Sequence, residues 1–272
     1  VPPGVVNVAP VYGETAGAAL ARHLDVDKLA FTGSHLTGQK IVESSAGNLK
    51  RVSLELGGRS PDIVFADADL DAAVPGAGMA VLANSGQICS AGTRLLVERK
   101  VYDEFTAGVS RPTASRSASA TAPIPPRRWG RWCRSSSWTA SPDIWRSAGR
   151  RARSRCREAS VSPTERWRRA FVPPTVFANV NDGMRIAQEE IFGPVISAIP
   201  FTDIGEVIEW ANKTSFGRGS GLWTQDVSKA HKLARSIRAG PVWIDCYQAM
   251  DPAVPFGGYK MSGYGRKSGK RA

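Results

Sequence analysis

Cys89 sits in the segment NSGQICSAG, a small and polar stretch flanked by Gly86 and Gly92. A thiol acts as a nucleophile when it is accessible and backbone N–H groups nearby can stabilise charge on it or on what it attacks. Most lone cysteines are buried core residues, so Cys89 alone decides nothing. Glu55 lies in LELGGRSP, a carboxylate at the end of an apolar run followed by two glycines. Half-buried there, it could take a proton from water as a general base. The competing reading is a glutamate on the solvent face of an edge strand. The glycine pair after it implies that something approaches the backbone closely.

Gly33 and Ser34 close one predicted strand and open a helix, with Gly38 following. Free N–H groups at such a helix start suit a pyrophosphate, although the spacing is not the usual dinucleotide fingerprint. EEIFGPV at Glu189–Val195 sets two carboxylates before Phe192 and a Gly-Pro turn. An acid there could accept bonds from ribose hydroxyls, and Phe192 could pack on a flat ring; the plainer alternative is a helix end leading into a strand. No His/carboxylate cluster suggests a metal. The three histidines lie at the end of a predicted helix or on one and are read as surface residues.

The elements that must position these groups alternate. Val5–Val8, Lys28–Thr32, Arg51–Leu56, Asp62–Phe65, Leu95–Val97, Val195–Phe201, Gly221–Thr224 and Val242–Ile244 are short apolar runs that predict strands. Between them, Glu14–His23, Leu36–Ser45, Asp69–Ala83, Ile204–Asn212 and Val227–Ile237 predict helices, and another begins at Val101. Such alternation predicts an α/β fold with a parallel sheet, and a dinucleotide site at strand carboxyl ends.

The chain has 272 residues with a formal charge of +12, which invites a nucleic-acid reading. The location of that charge argues otherwise. Residues 111–170 hold 15 Arg, no Lys and three acids, while the rest of the chain has 21 basic and 21 acidic residues. The body is neutral and one segment supplies the whole excess. That segment has no Leu, Phe or Met but five Trp and 11 Ser, and it shows no helical or strand period. It is expected to lack regular elements. No apolar stretch is long enough to span a membrane. Four cysteines without a CxxC pair point to a reducing, cytoplasmic setting. The chain opens on Val-Pro-Pro-Gly and reads as a piece of something longer.

Taken in order, FTGS, LELGGRSPDIVFADADLD, NSGQICSAGTRL, PPTVF, EEIFGPV, SGLWT and VPFGGYKMSGYGR resemble the NAD(P)-dependent aldehyde dehydrogenase superfamily. The resemblance covers about 1–109 and 171–271. It implies a parallel-sheet catalytic domain joined to the C-terminal half of a Rossmann-type cofactor domain. Residues 1–57 would be the partial dinucleotide-binding domain, 58–255 the catalytic domain, and 256–272 a return segment toward the cofactor domain. It also implies that Cys89 attacks an aldehyde carbon with its own N–H helping to bind the oxyanion, and that Glu55 activates water to hydrolyse the thioester. Gly33 and Ser34 would hold the pyrophosphate of NAD or NADP. Leu56 would offer a backbone contact to the nicotinamide, Glu190 would bind its ribose, and Phe192 would pack nearby. The partner would be a small-molecule aldehyde, with no specific nucleic acid and no membrane expected. The family is homo-oligomeric through a terminal strand that has no counterpart here, nor do the Asn of the oxyanion hole and the Lys of the adenine ribose.

Residues 111–170 have a family-like length but a composition that fits a GC-rich gene read out of frame. Compensating frameshifts near Ser110 and just before Phe171 would produce it. Two further departures are Pro241, where the family usually has Thr, and Arg218, where Leu is usual; the arginine puts a charge at an apolar position unless its stem snorkels. Two alternatives to the enzyme reading follow: an inactive truncated or frameshifted fragment, and an Arg/Trp-rich polyanion-binding module.

Overall fold

The computed structural model describes residues 1–111, 153–154 and 174–269. Two parallel sheets organise them. The smaller pairs β1 (Lys28–Thr32) with β2 (Arg51–Glu55), joined by the helix α2 (His35–Ser44). Ahead of β1, an irregular helical turn at Gly13–Gly17 leads into α1 (Ala18–Arg22). The expected strand at Val5–Val8 does not form. All four of those residues are exposed and, among the described residues, no strand pairs with them; Val5 N–H instead donates to the Pro2 carbonyl at 3.3 Å in a turn. β1, whose KLAFT run is apolar enough for a buried strand, alternates between exposed and half-buried residues.

The larger sheet has seven strands in the order β10-β9-β3-β4-β7-β6-β5. In chain order they are β3 (Pro61–Val64), β4 (Arg94–Glu98), β5 (Arg153–Ser154), β6 (Thr175–Ala178), β7 (Val195–Phe201), β9 (Ser220–Trp223) and β10 (Val242–Ile244). All pair in parallel except β5, which is antiparallel to β6. The expectation that 111–170 lacks strand structure is therefore corrected at Arg153–Ser154. The rest of that expectation falls outside the described residues, as do Cys133 and Cys156.

Alternate side chains of the central strands point to opposite faces, and both faces are covered. Ile63, Leu96, Ile199 and Leu222 share one core with Val207 and Ala211 of α6 (Ile204–Asn212) and Ala230 and Leu233 of α7 (Val227–Ser236). Val64, Leu95, Val97 and Ala198 share the other with Ala73, Ala77 and Val81 of α3 (Leu70–Leu82) and Phe105 and Val109 of α4 (Tyr102–Ser110). Asp69 caps α3, accepting from the N–H groups of Asp71 and Ala72 at 3.0 and 3.3 Å. Pro75 lies inside the second turn of α3, where it frees the carbonyl of Asp71; that residue is exposed, so water can satisfy it.

Two shorter pieces complete the frame. The four-residue helix α5 (Arg185–Gln188) precedes β7, and β8 (Phe216–Gly217) pairs antiparallel with β11 (Tyr259–Lys260). The chain after β11 then returns to the smaller sheet: Leu54 N–H donates to the Tyr264 carbonyl at 2.9 Å and Leu56 N–H to the Ser262 carbonyl at 3.0 Å.

Candidate active site

The candidate residues converge where the two sheets meet. Gly33 and Ser34 follow β1, and Glu55 ends β2, so they lie at the carboxyl edge of the smaller sheet. Gly57–Ser60 precede β3, Cys89 precedes β4, Glu190 and Phe192 precede β7, and Arg218 precedes β9. These all lie at the amino edge of the larger sheet. The site is the seam between the two edges.

The double glycine makes the seam possible. A Cβ on Gly57 would run into the carboxyl of Glu190, and one on Gly58 would lie 2.5 Å from both Arg218 Cβ and the Cys89 carbonyl oxygen. Only a backbone without side chains allows three loops to close on it. The close approach expected after Glu55 is thus realised, with the Cys89 loop on one side and Glu190 on the other.

Cys89 is partly accessible, at the end of a turn that follows α3. Asn84 and Ser85 both have left-handed backbone there, with φ of 48° and 58°. Gly86, at φ 75°, packs where a Cβ would overlap the Gly193 carbonyl. The next residue, Ser90, is fixed from behind by Tyr247, whose hydroxyl donates to the Ser90 carbonyl at 2.8 Å. The Cys89 N–H donates to no acceptor among the described residues.

Glu55 is more enclosed than a half-buried edge residue. It is 2% exposed, and neither of its carboxyl oxygens has a hydrogen-bond partner among the described residues. The solvent-face alternative for it is excluded. What faces it is Arg218, itself 2% exposed. Its guanidinium forms an ion pair with Glu55 while its Nε donates to Cys89 Sγ at 3.4 Å. Arg218 does put its charge at the apolar position and does not snorkel: the stem runs inward past Gly58, and the guanidinium stacks 4.3 Å from the centre of the Phe256 ring.

Glu190 accepts from the Gly58 N–H at 2.8 Å. Burial pushes its carboxyl up to about 7, against the pull of that N–H and of Arg59. Phe192 is half-buried with φ 53°, a left-handed turn conformation directly before Gly193-Pro194. Beneath this loop, Arg59 donates to the Ile186 carbonyl and, at 2.9 Å, to Ser197 Oγ. Ser34 caps α2, its Oγ accepting from Thr37 N–H at 3.1 Å, and Gly33 N–H is tied to the Glu55 carbonyl at 3.2 Å. Leu56 packs against Gly38 and spends its N–H on Ser262, so any backbone contact it offers must come from its carbonyl.

Several supporting residues carry no sequence signal of their own. Asp62 is fully buried and accepts from Trp223 Nε1 at 2.8 Å, and burial raises its carboxyl to about 7. Ser262 bridges the seam, donating to the Gly57 carbonyl at 2.7 Å and accepting from Gly217 N–H at 3.0 Å. Only its place in the SGYGR stretch of the last motif could have pointed to it. Among the described residues, no three His, Cys, Asp or Glu side chains group as a metal site, and no helix is long and apolar enough to cross a membrane.

Comparison with known proteins agrees with this architecture. The model of the aldehyde dehydrogenase family matches residues 1–272, running through 111–170 as the family-like length of that segment requires. The chain belongs to the aldehyde dehydrogenase family. It is 44% identical to retinal dehydrogenase 2 of Homo sapiens over 272 residues, covering 99% of this chain and 51% of that protein. It is 45% identical to aldehyde dehydrogenase 1A1 of Oryctolagus cuniculus, covering 99% and 54%. Among solved structures, PnpE in complex with nicotinamide adenine dinucleotide superposes with a TM-score of 0.81 at 40% identity, over 95% of this chain and 53% of that one. An indole-3-acetaldehyde dehydrogenase of P. syringae, in complex with NAD+ and IAA, superposes with a TM-score of 0.80 at 38% identity, over 99% and 55%. The chain spans about half the length of the relatives it matches.

Proposed function

We propose that Cys89 and Glu55 carry the NAD(P)-dependent oxidation of an aldehyde to a carboxylic acid. The observation that supports this most directly is their meeting on one guanidinium across Gly57-Gly58, although they come from separate elements. Cys89 Sγ is the nucleophile for the aldehyde carbon, and the unused Cys89 N–H faces the oxygen that gains charge. Glu55 takes a proton from the water that attacks the resulting thioester, releasing the acid and restoring the thiol. A bound nicotinamide supplies the acceptor for the hydrogen and electron pair that leave the substrate carbon.

The residues present fit that group at two points. The N–H groups of His35 and Leu36 open α2 ahead of the one that Ser34 caps, and they suit a phosphate. The Glu190 carboxyl stands at the glycine pair, where a ribose hydroxyl could reach it. In this reading, residues 1–57 belong to the cofactor domain, 58–255 to the catalytic domain, and 256–272 return to the former. A reducing, cytoplasmic setting would keep Cys89 and Cys246, free thiols in the structure, in that state.

A second reading, in which the chain keeps the fold but does not turn over, is favoured by Arg218, which engages both reacting side chains. One experiment separates the two. The native chain is mixed with NAD+ and a panel of small aldehydes, and NADH formation is followed. The first reading expects formation that Cys89→Ala abolishes and Glu55→Gln slows at the hydrolysis step. NADH formation surviving in Cys89→Ala would refute it, and none in the native chain would establish the second reading.

A further inference from the structure

We infer that Arg218 is a positioning residue that clamps Glu55 and Cys89 together, so that loss of an acyl group from Cys89 must wait for the clamp to open. The inference rests on the reading of Cys89 as nucleophile and Glu55 as base. Three contacts fix the guanidinium: the ion pair with Glu55, the bond from Nε to Cys89 Sγ, and the face of Phe256; the stem that carries it passes against Gly58. It is buried, its Nη1 has no hydrogen-bond partner, and no solvent competes for the pair. A carboxylate held in this way has its charge and one oxygen committed. It must leave the guanidinium before it can turn to a water molecule and accept its proton. The bond to Sγ acts earlier in the sequence, fixing the sulfur in place for attack. Formation of the acyl-enzyme is therefore helped and its breakdown is held back. At the corresponding position an apolar side chain, which could form neither bond, would leave the two groups independent.

An activated ester tests this without a dinucleotide. With p-nitrophenyl acetate, Cys89 Sγ attacks the carbonyl, the C–S bond forms and p-nitrophenolate leaves. Water then attacks the thioester and gives a proton to Glu55. The C–S bond breaks, and acetate and the thiol are released. The native chain should show a burst of nitrophenolate, with acetyl-Cys89 found by peptide mass spectrometry, followed by a slow linear phase. In Arg218→Met the linear phase should be roughly tenfold faster per acylated site. In a Glu55→Gln background the same substitution should give no acceleration, because the clamp acts only through Glu55. Arg218→Lys should fall between, since an ammonium keeps the charge but lacks the fork that spans both partners. A merely structural role would lower the burst amplitude and leave the rate per acylated site unchanged.

Unchanged or slower breakdown in Arg218→Met with an intact burst would overturn the inference, and so would equal acceleration in the Glu55→Gln background. If Arg218→Met gives no burst because it does not fold, Arg218→Lys carries the same comparison. A burst that persists in Cys89→Ala, or a native chain with none, would instead overturn the reading of Cys89 on which the inference stands.

Discussion

Replacing Asp62 with Asn should change how stability depends on pH. Asp62 is buried between β4 and β9, with Oδ1 bonded to Trp223 Nε1 and Oδ2 without a partner. Burial raises its carboxyl from 3.8 to about 7, opposed only by the indole N–H. In the unfolded chain the group loses its proton near 3.8, so between there and 7 the folded state holds more protons. Stability must then fall as pH rises through that window, and the loss is complete above 7. The full difference corresponds to a ceiling of about 4 kcal/mol, and relaxation around the charge should reduce it to about half. Asn keeps the acceptor for Trp223 and removes the charge, but it places an unpartnered donor where Oδ2 was, costing about 1–3 kcal/mol at every pH. Asp62→Asn should therefore be less stable than the native chain at pH 5, and the difference should shift toward Asn by about 1–1.5 kcal/mol by pH 8. Urea unfolding followed by tryptophan fluorescence across that range measures it. A stability difference that does not vary with pH would show that Asp62 is not held protonated in the fold.

Two more outcomes follow from the packing. Gly86→Ala should displace the Cys89 loop, because a Cβ there would overlap the Gly193 carbonyl and the backbone has φ 75°; loss of the ester burst with little change in helix content by circular dichroism checks it, and a full burst would count against the rigidity of this turn. Asp182→Ala should destabilise the fold by about 3–5 kcal/mol. It strands Arg94, which pairs with Asp182 at 2.6 Å in the interior, and a loss below about 1 kcal/mol in denaturant titration would mean that water reaches the pair.

Much of the fold could be read locally. β7, α6 and β10 have the bounds that the apolar runs predicted, and α6 is capped by Asp203, whose side chain accepts from Glu206 N–H at 2.9 Å. These signals depend on side-chain periodicity and on capping within a few residues, which a sequence displays directly. Val5–Val8 misled because an apolar run states a preference and not a partner. β1 misled in a similar way: its KLAFT run is apolar enough for a covered strand, yet alternate residues remain exposed.

The candidate site was legible in Cys89, Glu55 and the glycines between them, and illegible in what holds them. Glu55 could be read as half-buried or as a solvent-facing edge residue, because the element that covers it, the loop before β9, is remote in sequence. Arg218 could be recognised as a charge at an apolar position, with snorkelling the one escape open to its long side chain. What decides otherwise is a coincidence of three distant segments: Gly58 gives the stem room to pass, Phe256 offers a ring face, and Glu55 offers a charge. Each alone would be too weak to draw a guanidinium out of water, and a buried arginine with one of them missing would be strongly unfavourable. The departure at Arg218 thus fits a fold that already contained the other three, and its consequence falls on the Cys89–Glu55 pair rather than on the surface.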